Sequence, residues 1–265
     1  MVRKNFRWCS TCKNGFWWII VSYLREYIRI ILLEQLKDSF QGKKMIFMAG
    51  APGSGKSTVL NQLGLLEQFS IINPDDWYEP FLKEAGISLD IASFTQEYFD
   101  IVSALEAGKE QGLDVSELEK KRAELRPTMS TNAKLFNTAR KQAKQKAAHL
   151  SAEGKDFIID GTGGSYREIS KLNSVYLQMG YDTAMVYVSV PKDISLERNF
   201  QRGEKGKRRL HDKAVSRSWE SVNRNKELYE ELFGSNFLFV DNSGTYEDYQ
   251  ERIELIRPAM ENFLR

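Results

Sequence analysis

Cysteine is almost absent from this 265-residue chain: only Cys9 and Cys12, in the tetrapeptide CSTC, carry thiols. A C-x-x-C pair can be a redox couple or half of a zinc site. No second pair exists, and the two histidines, His149 and His211, lie far away in sequence. Two incidental thiols is therefore the reading taken. The scarcity of cysteine excludes a disulfide framework and fits a reducing, cytoplasmic compartment. An excess of one charge is lacking too. Lys and Arg number 38 against 36 Asp and Glu, a net of +2, so any nucleic-acid role would need a local basic patch. Long apolar runs are missing: the longest clean one, Phe16 to Leu24, is followed by Arg25, Glu26 and Arg29. A bilayer span takes about 20 nearly uncharged residues, so no transmembrane segment is expected. No small-residue cleavage site follows that run, which argues against a signal peptide. There is no internal repeat and no low-complexity tract.

What is present is a core-forming composition, 42% hydrophobic. Tyr23, Tyr27, Ile30 and Ile31 recur at helical spacing. Residues 1–43 thus read as an N-terminal helical extension, packed on the main domain or serving an interface or a partner. DSFQGKK (Asp38 to Lys44) reads as the junction to a main domain over 44–265. There, strands are expected at Met45–Ala49, Phe69–Ile72, Phe157–Asp160, Ala184–Val190 and Asn236–Val240. Helices are expected at Lys56–Leu66, Ile91–Ala107, Val115–Leu125, Thr131–Ala152, Tyr166–Met179, Ile194–Gln201, Lys213–Phe233 and Tyr246–Phe263. Alternating strands and helices, with near-continuous apolar strands such as AMVYVSV, imply a three-layer α/β fold around a five-stranded parallel sheet. Residues 77–151 are long for one crossover and read as a helical insert, broken at LRPTMS because Pro127 disfavours helix in the residue before it. The Thr131–Ala152 helix carries Lys134, Arg140, Lys141, Lys144 and Lys146, a solvated face or a basic face toward substrate.

The strongest signal is GAPGSGKST. Gly50, Ala51, Pro52, Gly53, Ser54, Gly55, Lys56 and Ser57, with Thr58 following, match G-x-x-x-x-G-K-[ST] at every fixed position, between a strand and a helix. Glycines let successive backbone N–H groups curve around an anion, and the helix N-terminus adds positive potential. Lys56 suits the β and γ phosphates, and Ser57 offers a hydroxyl to Mg²⁺. This is the Walker A pattern of P-loop proteins. Asp160, after the buried run FIID, is the expected second contributor to Mg²⁺. DGTG fits the D-x-x-G of GTPases, but the guanine-reading N-K-x-D is lacking: Asn225-Lys226-Glu227 is followed by Leu228. A kinase needs a carboxylate to take a proton from its acceptor and a cationic lid. FSIINPDDWYEP puts Asp75 and Asp76 just past the second strand, where a turn residue or helix cap is the alternative role. LERNFQRGEKGKRRL supplies Arg198 and Arg202 on one helix face, then a glycine-hinged loop with Arg208 and Arg209, a lid over 198–212.

Together these segments resemble the zeta-toxin family of P-loop kinases and its polynucleotide-kinase-like relatives, over roughly Lys44 to Phe239. The resemblance implies transfer of the ATP γ-phosphoryl group to a hydroxyl acceptor, with ATP and Mg²⁺. It places the general base at Asp75, an acidic site residue at Asp160 where zeta toxins often carry Glu, and Thr162 near substrate, with Asp76 on the same side. The lid arginines would be Arg198 and Arg209, with Arg208 an alternative to the second, and Arg202 assisting. Zeta toxins act on nucleotide-activated N-acetyl amino sugars and carry an acidic contact in the helix before the DGTG-like strand. Here that helix reads NTARKQAKQKAAHLSAEGK. Its basic face suits a more anionic acceptor, such as a 5′-hydroxyl nucleic-acid end, or a protein. An ATP-binding module that docks a protein partner without phosphoryl transfer is the reading from another class.

Overall fold

A computed structural model of the protein describes Glu26 and residues 42–265. The N-terminal extension, with Cys9 and Cys12, otherwise lies outside the described residues. The chain runs β1 (Lys43–Ala49), α1 (Lys56–Gln62), β2 (Ser70–Ile72), α2 (Asp75–Glu84), α3 (Ile91–Glu110), α4 (Ser116–Ala152), β3 (Phe157–Asp160), α5 (Tyr166–Gln178), β4 (Tyr181–Ser189), α6 (Lys192–Glu204), α7 (Asp212–Arg224), α8 (Lys226–Phe233), a 3₁₀ turn, β5 (Phe237–Asp241) and α9 (Tyr246–Leu264). The strands form one five-stranded sheet in the order β2-β3-β1-β4-β5. Every pairing is parallel. Because all strands point the same way, their C-terminal ends share one edge, where ligands of open α/β sheets bind.

The apolar strands are buried on both faces. In β1, Ile46 and Met48 join Val59 and Leu60 of α1 and Ile253 and Met260 of α9. The alternate residues Met45, Phe47 and Ala49 join Ala143 and Ala147 of α4, Tyr176 of α5 and Tyr229 and Phe233 of α8. Phe47 is fully buried and meets Phe233 edge-on, with ring centroids 5.6 Å apart. Removing such a side chain costs about 3–5 kcal/mol, so the central strand is a stiff support for the loop that leaves it.

Several boundaries differ from the sequence expectation, and α2 is a helix it does not include; four of the differences have a local reason. The first helix ends at Gln62, not Leu66, because Gly64 turns into the left-handed region (φ +69°). The fourth strand begins at Tyr181, three residues early, because Tyr181–Thr183 extend the pairing with Lys43–Met45. The helix expected over Lys213–Phe233 divides at Asn225. The break expected at Pro127 does not occur: α4 runs unbroken through it. Pro127 and Ala123, whose carbonyl loses its helical partner, are both exposed, so water can serve that carbonyl. Leu135 and Ala139, farther along α4, pack against Tyr78, Leu82 and Ile91 and hold the helix in place. Helices α2, α3 and α4 thus form a polar-faced unit between β2 and β3.

Candidate functional site at the phosphate loop

The loop between β1 and α1 is held by packing and neutral hydrogen bonds. The Gly50 N–H donates to the Thr162 carbonyl at 2.9 Å. The Ser195 hydroxyl, from α6, donates to the Pro52 carbonyl at 2.6 Å, and the Asn242 amide, after β5, donates to the Ser54 carbonyl at 2.7 Å. Gly53 and Gly55 both have left-handed backbones, φ +78° and +87°. A Cβ on Gly53 would stand 2.7 Å from the Ser195 carbonyl, and one on Gly55 would collide with the Asn242 amide. Only glycine meets both the dihedral and the space requirement there. Ala51 and Ser54 are buried, Pro52 is partly so, and Ser57 and Thr58 are exposed in the first turn of α1.

Lys56 folds back over the loop, and its Nζ donates to the Gly50 carbonyl at 3.0 Å. Burial pushes its pKa below the ordinary lysine value, with Asp160 and Asp75 opposing the shift and Arg202 and Arg208 adding to it. These four charges therefore surround the loop. Asp160, at the end of β3, is buried. Burial pushes its carboxyl above the ordinary aspartate value, against the pull of Lys56, while Asp75 and Asp76 add to the rise. One carboxylate oxygen accepts from the Asn73 side-chain amide at 2.9 Å. The other, Oδ1, is buried with no hydrogen-bond partner among the described residues.

Asn73 has a second bond. Its side-chain oxygen accepts from the Asp75 N–H at 2.9 Å, so one side chain starts α2 and orients Asp160. Asp75 opens that helix half-buried, and its carboxylate is paired with the Arg208 guanidinium. Arg208 is itself buried and lies over the Tyr78 ring at 5.5 Å. Asp76 is more exposed than Asp75; the partial burial it has raises its carboxyl pKa, with Lys146 opposing. Thr162 is exposed on the strand-to-helix connection, and the loop beneath it is anchored from α8. There the Tyr229 hydroxyl donates to the Gly163 carbonyl at 2.6 Å, and the Asn225 amide to Gly163 and Gly164 at 3.2 and 3.0 Å.

The arginines expected to form a lid go to different places. Arg202 approaches Glu79 at 3.5 Å, and Arg208 approaches both Asp75 and Glu79. Arg198 donates to the Asn242 carbonyl at 3.1 Å, beside the loop. Arg209 turns away: its guanidinium lies over Phe200 at 4.7 Å, and its backbone bridges Leu89 and Ala92 at the start of α3. It borders a cleft of about 620 Å³, lined also by Gln96, Asp100, Lys121 and His211, apart from the phosphate loop. The structure thus brings together Lys56, Asp75, Asp160, Arg202 and Arg208, with Arg198 at the rim, and leaves Arg209 outside. Glu79, Ser195, Tyr229 and Asn242 are not singled out by the sequence, whereas Asn73 stands in the Asn-Pro turn that aims Asp75 at the loop and Asn225 enters only as part of an incomplete guanine-reading motif. Of the first four, Glu79, one turn after Asp75 on the same helix face, leaves a usable sign there.

The donor set suits Mg²⁺. Among the described residues no three His, Cys, Asp or Glu side chains cluster to hold a metal. Magnesium needs no such cage, because it keeps waters and takes one or two protein oxygens beside phosphate. The unpartnered Asp160 oxygen and the exposed Ser57 hydroxyl are oxygens of that kind.

Residues 45–227 match the AAA domain family. None of the curated proteins compared with the chain matches it. Among solved structures, a protein from Chloroflexus aurantiacus J-10-fl, provisionally termed a kinase, is 15% identical, with TM-score 0.52 over 85% of this chain and 100% of that one. The PezAT toxin–antitoxin system of Streptococcus pneumoniae is 16% identical over 88% of this chain and 95% of that one, TM-score 0.46. The Pnkp1/Rnl/Hen1 RNA repair complex is 18% identical over 71% of this chain, TM-score 0.43, and the match spans 46% of that chain. At these identities the first likeness concerns the fold. Among the described residues no helix is long and apolar enough to cross a membrane.

Proposed function

The chain belongs to the AAA domain family matched above, with a P-loop kinase-like α/β fold, and from that premise we propose that it is a zeta-toxin-like kinase. It would transfer the γ-phosphoryl group of ATP to a hydroxyl acceptor. The observation that carries this reading is the meeting, at one sheet edge, of a complete phosphate loop with a carboxylate–arginine pair, Asp75 and Arg208. A loop alone binds nucleotide; a base with a cation beside it suits phosphoryl transfer.

In this reading the backbone N–H groups of Gly53 to Ser57 and the Lys56 ammonium hold the β and γ phosphates. Ser57, and Asp160 directly or through water, would hold Mg²⁺, which supplies charge neutralisation on the phosphate oxygens. Asp75 takes the proton of the acceptor hydroxyl as its oxygen forms a bond to the γ phosphorus. The bond from that phosphorus to the bridging oxygen breaks, and ADP leaves with the electron pair. Arg202 and Arg208, joined by Arg198 at the rim, stabilise the charge on the transferring group. Thr162 and Asp76 face the acceptor side, helices α2–α4 form the insert and residues 198–212 the lid.

The test is radiolabelled ATP offered to sugar nucleotides, 5′-hydroxyl DNA and RNA, and a cell extract. Label should move to one class of acceptor in the wild type and not in Asp75→Ala. Failure with every acceptor, while ATP still binds, would favour a nucleotide-binding module instead.

A further inference from the structure

Glu79 has no place in the chemistry above, yet it faces the site. It lies one helical turn beyond Asp75, half-buried, with Oε1 3.5 Å from Arg202 and 3.7 Å from Arg208 Nε. That Nε is buried and has no hydrogen-bond partner among the described residues. Asp75 and Glu79 together thus engage both arginines that bear on Lys56. These are the cations a triphosphate would recruit. Two carboxylates on one face of α2 occupy them in the structure.

We propose that Glu79 is a positioning residue: with Asp75 it parks Arg202 and Arg208 over the phosphate loop and competes with nucleotide phosphates for them. The proposal rests on the phosphate-loop reading. Three consequences follow from competition for the same guanidinium groups. Nucleotide binding breaks the carboxylate contacts before it gains the arginines, so part of its affinity is spent on release. Asp75, paired with Arg208, accepts an acceptor proton only after that arginine has turned to phosphate. Proton transfer from the acceptor therefore follows nucleotide binding. Glu79 then keeps a negative charge behind the two arginines, so that they swing on a short tether and return after product leaves.

The experiment is Mg·ATP titration by calorimetry on the full chain. Glu79→Gln keeps the shape of the side chain and removes its charge. It should bind Mg·ATP about three- to fivefold tighter than wild type, the scale of one partly exposed ion pair. A merely structural role predicts the opposite sign, because a loosened α2 would weaken the site. Glu84→Gln, an exposed carboxylate farther along the same helix, should leave the affinity unchanged. Unchanged or weaker binding in Glu79→Gln overturns the proposal, as does equal tightening in Glu84→Gln, which would mark a net-charge effect. If Glu79→Gln does not fold, Asp75→Asn carries the same test, with tightening expected and weakening contradictory. Absence of heat in the wild type itself would remove the nucleotide reading, a result distinct from a variant that fails to tighten.

Discussion

The phosphate loop and the arginine-bearing segment proposed as its lid are fastened by different physics. The loop is tied by backbone carbonyls to Ser195 and Asn242 and by close packing at Gly53 and Gly55. Such contacts are neutral, short and indifferent to salt, and phosphate does not replace them. The lid is tied by Arg202 and Arg208 to Asp75 and Glu79. Those contacts are ionic, and in the proposed reading phosphate competes for the same guanidinium groups. One region is thus preorganised, which lowers the reorganisation needed at the moment of reaction. The other is held by a charge pattern that its ligand can exchange. A phosphoryl-transfer site needs both: a rigid cradle and a closing charge.

The sharpest way to break this comparison is to change each region at its charged centre. Lys56→Ala should abolish measurable turnover and weaken Mg·ATP binding by about tenfold or more, since one charge-assisted contact is worth roughly 1.5–3 kcal/mol; calorimetry and label transfer report both. Next, Arg208→Ala should lower turnover by about 10³-fold, within the range for an arginine that stabilises a transferring phosphoryl group. Arg209→Ala, facing Phe200, should lower it by less than about threefold. Equal losses at the two adjacent positions would contradict the division of roles between Arg208 and Arg209. Asn73→Ala should cost about 1 kcal/mol of stability through the lost helix start. It should also slow turnover by about tenfold, as Asp160 loses its orienting bond; chemical denaturation and kcat measure the two parts.

The smallest effect is a pH dependence at Asp160. Its folded pKa is raised above the ordinary aspartate value by burial. Between those two values the folded protein binds more protons than the unfolded chain, so this group's contribution to stability improves as pH falls through the raised value and is lost as pH rises. Relative to Asp160→Asn, which does not titrate, the wild type should therefore gain stability from pH 7 toward pH 4 in urea unfolding. A parallel pair of curves would contradict the burial of that carboxyl.

Much of the rigid region was legible in the chain, because its determinants are local. GAPGSGKST between a strand and a helix needs no distant partner to be read, and the apolar runs in β1, β3 and β4 declare a doubly covered sheet. The ionic region was less legible. Arg208 and Arg209 are neighbours with equal chemistry, and the backbone bridge to Leu89 and Ala92 turns one in and the other out. Glu79 meets Arg202 across 123 residues, a pairing no spacing announces. Asn225, in a failed guanine-reading motif, divides two helices and grips Gly163 and Gly164 instead. Pro127 gave a false break because the lost hydrogen bond lies at an exposed face, where water can replace it.

The most direct test of the central claim is a calorimetric titration of the intact chain with Mg·ATP beside the Lys56→Ala variant. One saturable site per chain is expected in the wild type, with binding greatly weakened in the variant. No heat in the wild type, or the same isotherm in both, would contradict a phosphate-gripping loop at residues 50–57 and everything built on it.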